Sequence, residues 1–565
     1  MEILETTSSG AHIAGNIKST PNNLRKRSFF FSSRILSSAI EHLPTVDARR
    51  LRLEKYVVLA ILIPLNCILI YMFTNWSKFS WYLIPELMLR IVVDCTEITL
   101  VIIFFIIRRL YRRQPRISEK PENFVYLLCC YNESYPELMT SLDSLAEQQL
   151  LDTHKKAIVV ICDGRVSSKG EPKTAAAYLK EDIVERPSSR SMAQAYTAWD
   201  GAPMDVEIIE GEFRGIPIIC VIKNENRGKR DGIVLIRSFM RKFNQRHSSP
   251  SLAMLSSKLF AELKNFLEKA SIQSLDYAVG IDADTRFDTK CVFNLIQTVR
   301  EDDQCQGVTG YIRPDPKALG PFSFSYLYQN AEYLVGQHRR RLRQSLTSRK
   351  VTCLPGCCQL LRVNEYTCGD HILGKFGHYP KGTDGLFRTI RSMMSEDRDH
   401  ICLVLSEYAD VRTRVCLAAR AYTTVPSTPS VLLSQRRRWT LGPLTSDSLL
   451  LSRKTTGWIE RVAAFTSILH WTVNPALYVS RYYRQIDNQT KFYLIILENY
   501  RLVYDLLVVV AASDSVPDII QSFIGFWMYG FFGPTVNFVT QLYTLYKLDD
   551  FRWGKTRIGV ADKAK

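Results

Sequence analysis

Five things are missing from these 565 residues, and each removes a class of function or processing. No internal repeat is visible, which excludes solenoid and propeller arrays. No Gly-rich loop ends in Lys-Ser or Lys-Thr; Asn226-Arg227-Gly228-Lys229-Arg230-Asp231 has a glycine among cations but not P-loop spacing. Cys353-Leu354-Pro355-Gly356-Cys357-Cys358 is spaced like half a metal knuckle, yet no second pair follows at a zinc-site distance. No DNA- or RNA-binding motif accompanies the basic charge, and no cleavable signal peptide is expected at the N-terminus.

What is present is strongly cationic. The formal net charge is +17, with 46% hydrophobic and 11% aromatic residues. Arginines cluster beside apolar stretches, which points to an anionic membrane surface and an anionic small substrate rather than nucleic acid. Fourteen cysteines, several inside apolar runs such as Cys129-Cys130, read as reduced cytosolic thiols.

Tyr56 to Phe73 is an uncharged apolar run of membrane-spanning length. A second stretch, Leu87 to Ile107, carries Arg90, Asp94 and Glu97 at helical spacing, costly in lipid unless a partner meets them. Arg49, Arg50, Arg52 and Lys55 precede this pair; Arg108, Arg109, Arg112 and Arg113 follow, so both ends are expected in the cytosol. Asn75-Trp76-Ser77 then falls on the outer side, a glycosylation pattern weak on its own. Beyond residue 443, Trp458 to Val479, Phe492 to Ala512 and Ile519 to Leu548 are again apolar, with Glu498, Arg501 and Asp505 interrupting the middle one. Five spans are expected, some of them interfacial.

Between these flanks the chain reads α/β. Strands are expected at Phe124 to Cys130, Ala157 to Cys162, Ile218 to Lys223 and Tyr277 to Ile281, with a helix near Pro136 to Gln149. The alternation predicts a mostly parallel sheet with ligands at its carboxyl edge, where Glu133, Asp163 and Asp282 follow strands. The polar stretch from Ser167 to Asp205 reads as a surface insertion. The organisation expected is 1–55 basic and disordered or membrane-surface, 56–107 a transmembrane hairpin, 118–443 a cytosolic catalytic domain, 444–548 interfacial and transmembrane helices, and 549–565 a tail.

An ordered set of acids and cations runs through the domain. Asp282 and Asp284 follow a strand, and on extended chain both face one side, which suits shared contact with a divalent metal. Asp397, beside Glu396, is typed for a general base, though acids opening a helix also serve its dipole. In Ser434-Gln-Arg-Arg-Arg-Trp439 the arginines offer charge to a departing diphosphate. On a helix, Gln435, Arg438 and Trp439 share a face, where the indole can stack on a sugar.

In this order the residues resemble processive family-2 glycosyltransferases, and among them chitin synthases. Ser434-Gln-Arg-Arg-Arg-Trp439 is similar to the Gln-x-x-Arg-Trp signature, and Val351-Thr-Cys-Leu-Pro-Gly-Cys357 to the acceptor-site segment. Gly228-Lys-Arg-Asp231, Asp282-Ala-Asp-Thr285, Gln329-x-x-Glu332-Tyr333, Glu396-Asp-Arg398 and the Asp549 to Arg557 tail match in sequence order. The resemblance runs from about Phe124 to Arg557. It implies a GT-A-type cytosolic domain flanked by transmembrane and interfacial helices, in a multi-pass plasma-membrane enzyme. The implied reaction is inverting transfer of N-acetylglucosamine from UDP-N-acetylglucosamine to a growing β-1,4 chain, chitin, with export through the membrane helices. By position, Tyr131, Glu133 and Asp163 would contact uridine and Lys229 the nucleotide side. Asp284, with Asp282, would hold Mg2+ or Mn2+, and Asp397, with Glu396 beside it, would be the base. Gln435, Arg438 and Trp439 would line the diphosphate and acceptor sugar; Cys353, Pro355 and Gly356 would border the acceptor entrance. The bilayer and the polymer are the implied partners, nucleic acid is not, and homo-oligomerisation stays open. A hyaluronan or β-glucan synthase of the same fold, or an inert membrane scaffold, are the alternatives.

Overall fold

A computed structural model describes residues 46–110, 121–168, 170–482 and 486–552, and within them not the side chains of residues 86, 87, 89, 90, 108 and 109. The expectations for residues 1–45, for the charges of Arg90, Arg108, Arg109, Arg112 and Arg113, and for the tail beyond Arg552 lie outside what is described.

Two long helices come first. α1 (Ala48–Thr74) is capped by Asp47, whose carboxylate accepts the N–H groups of Arg49 and Arg50. α2 (Trp76–Leu110) follows after a single residue, Asn75, whose side-chain amide donates to the Tyr71 carbonyl. Among the described residues only α1 is both long and apolar enough to cross a membrane; the charges inside α2 remove it from that class.

The α/β region is one ten-stranded sheet with the order β3-β4-β5-β2-β1-β6-β9-β8-β10-β7. Its centre is parallel: β1 (Phe124–Cys130) lies between β2 (Lys156–Cys162) and β6 (Tyr277–Asp282), and β2 pairs with β5 (Ile216–Lys223). These central strands are apolar on both faces because helices cover both. Tyr126, Leu128, Ile158 and Val160 meet Leu138, Leu142 and Leu145 of α3 (Tyr135–Ala146) on one side. Val125, Leu127, Val159 and Ile161 meet Ile236, Phe239, Met240 and Phe243 of α4 (Lys229–Asn244) on the other. Cys130 pairs with Cys162 and Cys129 with Asp282, so three carboxyl ends stop at one level.

Two expectations need correction. The sheet is mixed rather than mostly parallel, since β3–β4, β4–β5, β6–β9, β8–β9 and β7–β10 are all antiparallel. The polar stretch from 167 to 205 is no mere insertion: β3 (Glu185–Thr197) pairs with β4 (Pro203–Phe213) as the outer hairpin of the sheet. Both faces of β3 are exposed or half-buried from Glu185 to Gln194, with only Ala195 and Tyr196 buried, so its sequence lacks the apolar signature of the centre. β7 (Thr285–Phe287), β8 (Cys305–Pro314), β9 (Gln359–Arg362) and β10 (Arg412–Thr423) complete the other wing.

The remaining helices place the site and the flanks. α5 (Phe324–Gly336) continues without a break through Gln337–Leu342 into Arg343–Leu346. α6 (Glu396–Glu407) and α7 (Pro429–Ser452) follow, then α8 (Trp458–Ser480), α9 (Asn488–Ala512) and α10 (Val516–Tyr546), which cover the three apolar stretches read from sequence. All fourteen cysteines are free thiols.

Candidate active site

The parallel strands bring a loop, a turn and a helix N-terminus to one edge. Gly228 caps α4 with φ +86°, a backbone state strained for any side chain, and so turns Lys229 toward the end of β6. Lys229 Nζ lies 2.6 Å from Asp282 Oδ1 and 3.8 Å from Glu396 Oε1. Burial by itself lowers the affinity of that ammonium for its proton. Asp282, Asp397 and Glu396 outweigh it and hold the pKa well above the ordinary lysine value.

The carboxylates respond in the opposite sense. Asp284 is pushed up to about 7, first by burial, then by Asp282 and Glu133, with Lys229 and the Thr285 hydroxyl pulling back. Asp397 is pushed up to about 6, first by burial, against Lys229, and further by Glu396 and Asp282. The Gly356 N–H donates to Asp397 and lowers it somewhat. A Cβ at Gly356 would sit 2.8 Å from Asp397 Oδ1 and 3.2 Å from Lys229 Nζ, so only glycine admits both groups. The two aspartates of Asp282-Ala-Asp284 are not on one extended strand. β6 ends at Asp282 and a turn precedes β7, with Ala283 tucked into the core between them.

Among the described residues, no group of three or more histidines, cysteines or acids is placed to cage a metal. Two crowded carboxylates, one of them pushed to about 7 by burial and acidic neighbours, still suit a hard cation completed by phosphate oxygens.

Beyond the ends of β1 and β2, the Tyr131 N–H donates to Glu133 Oε2 at 2.6 Å. Asp163 Oδ1 accepts the Arg227 N–H at 3.0 Å and lies 2.6 Å from Lys223 Nζ. Lys223, fully buried, also meets Asp231 Oδ2 at 3.0 Å, and Asp231 accepts the Tyr196 hydroxyl and the Trp199 N–H. Sequence reasoning passed over Lys223. Its signal was a lysine ending an otherwise apolar strand, where a buried ammonium needs acids on both sides.

The three arginines of α7 divide. Arg436 is held by Glu332 (Nε at 3.0 Å from both oxygens) and by Gln329 at 3.1 Å, and lies 4.1 Å over the Trp439 ring. Arg437 donates to the carbonyls of Lys547 and Arg552. The expectation that all three face a diphosphate is therefore corrected: Glu332 neutralises Arg436, and the segment after α10 engages Arg437. Arg438 alone is in electrostatic reach of Glu396, Asp397 and Asp282. Gln435 contacts Arg436. Trp439 is 43% exposed, with its ring edge-on to Tyr333 at 5.6 Å.

The Cys353 to Cys358 segment splits as well. Cys357 lies near Asp282, Asp397 and Asp284, and burial, followed by these acids, raises its thiol well above the ordinary value. Cys353 lies instead near Arg398 and Arg340, which share Asp447 of α7 at 2.5 and 3.5 Å. Leu354 is buried in the core, while Pro355 and Gly356 lie between the two cysteines.

Comparison with known proteins agrees with this arrangement of motifs. The sequence pattern of a family described as chitin synthase matches residues 99–202 and 215–565. Chitin synthase 8 of Gibberella zeae is 32% identical over 558 residues, covering 95% of this chain and 83% of that protein. Chitin synthase 8 of Verticillium dahliae is 35% identical over 459 residues, 77% of this chain and 75% of that protein. Among solved structures, the mannosyltransferase PcManGT from Pyrobaculum calidifontis, in complex with GDP-Man and Mn2+, aligns at 13% identity. Its TM-score of 0.35, over 81% of this chain and 96% of that one, is too low to argue from. The family pattern spans the sheet except β4, the carboxylate cluster and the helices beyond it, and the chain belongs to the chitin synthase family.

Proposed function

We propose that the chain polymerises N-acetylglucosamine from UDP-N-acetylglucosamine into β-1,4-linked chitin. The observation that carries the reading is the convergence of Lys229, Asp282, Glu396 and Asp397 beside Gly356 at the carboxyl edge of the sheet. A sugar nucleotide transferase needs an acid near its operating pH, cations for a leaving diphosphate, and little room for water. Each has a residue here.

In this reading Tyr131, Glu133 and Asp163 receive the uridine, with Lys223 holding Asp163 in place. Asp284 and Asp282 would hold Mg2+ or Mn2+, whose chemistry when bound is neutralisation of charge on the diphosphate. Asp397 takes the proton of the acceptor 4-hydroxyl as its oxygen bonds to C1 of the donor sugar. The C1–phosphate bond breaks on the opposite face, and UDP leaves toward Lys229 and Arg438. Glu396 beside Asp397 keeps that carboxyl's proton affinity raised. Gln435 and Trp439 line the sugar side, and Cys353, Pro355 and Gly356 border the acceptor entrance.

Residues 118–443 form the cytosolic part of this reading, with 56–107 and 444–548 embedded in a plasma membrane and providing the route of export. Support comes from α1 and from apolar residues left bare on α8 to α10, among them Trp458, Phe492 and Phe531.

Purified full-length protein in detergent, given labelled UDP-N-acetylglucosamine with Mg2+ or Mn2+, is expected to form insoluble, chitinase-sensitive product. Turnover of UDP-glucose alone, or only of paired donors including UDP-glucuronate, would move the activity to a β-glucan or hyaluronan synthase. No turnover of any donor would leave an inert scaffold.

A further inference from the structure

Asp94, Glu97 and Asp505, acids that break the apolar stretches of α2 and α9, have arginine partners, and two of these partners stand on the extension of α5. Arg339 Nε donates to Asp505 Oδ1 at 2.8 Å, and a second guanidinium nitrogen reaches Oδ2. Asp505 is buried in α9, its side chain 4% exposed. One turn further, Arg343 pairs with Glu97 of α2. The other end of the same rod is gripped by α10: a Cβ at Gly525 would clash with the Leu327 carbonyl oxygen, and Asn330 donates to Ser522 at 3.3 Å. Next to it, Arg313 at the end of β8 donates to Asp518 Oδ2 at 2.8 Å.

The face of α5 turned to the site carries Gln329, Glu332 and Tyr333. These hold Arg436 and meet Trp439. Of the groups read on the donor side, Lys229, Asp163, Asp282 and Asp284 sit on other elements, whereas Arg438 shares α7 with Arg436 and Trp439.

We infer that the continuous rod from Phe324 to Leu346 is a positioning element for chain extension. The flanking helices fix it through Asp505–Arg339, Glu97–Arg343 and the Gly525 contact; Glu332 and Tyr333 then fix Trp439. Removing the Asp505 charge takes the two-pronged acceptor away from the Arg339 guanidinium and so loosens the rod from α9. Gly525 allows two helix backbones an approach that any side chain would widen. The inference rests on the reading of Trp439 as an acceptor-side residue.

The test uses full-length Asp505→Asn, Gly525→Ala, and the exchanged pair Asp505→Arg with Arg339→Asp. Displacement of a substrate-positioning group by an ångström costs on the order of tenfold to a hundredfold in rate, so turnover and polymer length should fall by at least about tenfold in both single variants. KM for UDP-N-acetylglucosamine and calorimetric affinity for UDP should change far less than turnover, because Arg438 is the one donor-side group on α7. Hydrogen exchange in residues 429–452 should rise, an effect read without any turnover, and the exchanged pair should recover length and protection. Wild-type length and exchange in Asp505→Asn and Gly525→Ala would overturn the inference. So would loss of UDP affinity in step with turnover, or a folded exchanged pair that recovers nothing. If wild-type protein extends no chain from this donor, the functional reading fails. The exchange data still decide whether the rod positions α7.

Discussion

At the carboxyl edge of the sheet, Asp282, Asp284, Glu396 and Asp397 crowd around Lys229 and Arg438. Between the flanking helices, Asp94 meets Arg501, Glu97 meets Arg343 and Asp505 meets Arg339, one acid to one arginine. Both regions are rich in charge, and in the second these three acids are balanced pair by pair. Matched pairs hold elements together. An excess of carboxylate raises proton affinities and calls for a bound cation, which is what transfer chemistry uses. The buried Lys223, between Asp163 and Asp231, joins the two kinds: a structural pairing at the carboxyl edge of the sheet.

The comparison breaks most visibly at Asp397. Asp397→Asn keeps the shape but cannot accept a proton, and transfer should fall by about a hundredfold to ten-thousandfold while UDP still binds. Polymer synthesis at the wild-type rate would remove it as the base. Chelation comes next: EDTA should stop incorporation and added Mg2+ or Mn2+ should restore it, whereas the melting temperature set by the paired region should move little. Lys223→Met tests the paired class, since it leaves two buried carboxylates facing each other. A loss of about 3–5 kcal/mol is expected, read as a lower thermal midpoint of the detergent-solubilised protein.

A smaller effect concerns pH. The Asp397 carboxyl is raised to about 6 in the folded protein, above its unfolded value. Folded protein therefore binds this proton more tightly than unfolded protein between roughly pH 4 and 6, so this group's contribution to stability improves as pH falls through that window. Transfer should do the reverse and decline below about pH 6. Initial rates and thermal midpoints measured on the same samples would show the two moving oppositely; parallel profiles would assign the titration elsewhere. The least effect belongs to Arg186→Ala, which removes an exposed pairing with Glu212 on the outer hairpin. Transfer and melting should match wild type.

How much of this was legible in sequence differs between the two regions. β1, β2, β5 and β6 were readable to within two residues, because strands buried on both faces are continuous apolar runs. β3 was not, since an exposed edge strand carries the polar composition of a loop. The acids Asp282, Asp284, Glu396 and Asp397 were visible as motifs, but their mutual crowding was not. Nor could spacing reveal that Arg436 belongs to Glu332, a residue 104 positions earlier, or that Cys357 rather than Cys353 lies among the carboxylates.

The sequence by itself determined the central strands, the order of the charged motifs, the apolar flanks and the likeness to a chitin synthase, because periodicity, composition and local spacing are properties of neighbouring residues. Tertiary structure alone decided which arginine stays near the acids, which acids share a lysine, and which charges in the apolar helices cancel. Those outcomes depend on distances between residues far apart in the chain, and electrostatic energy is set by distance and burial, neither of which a linear order contains.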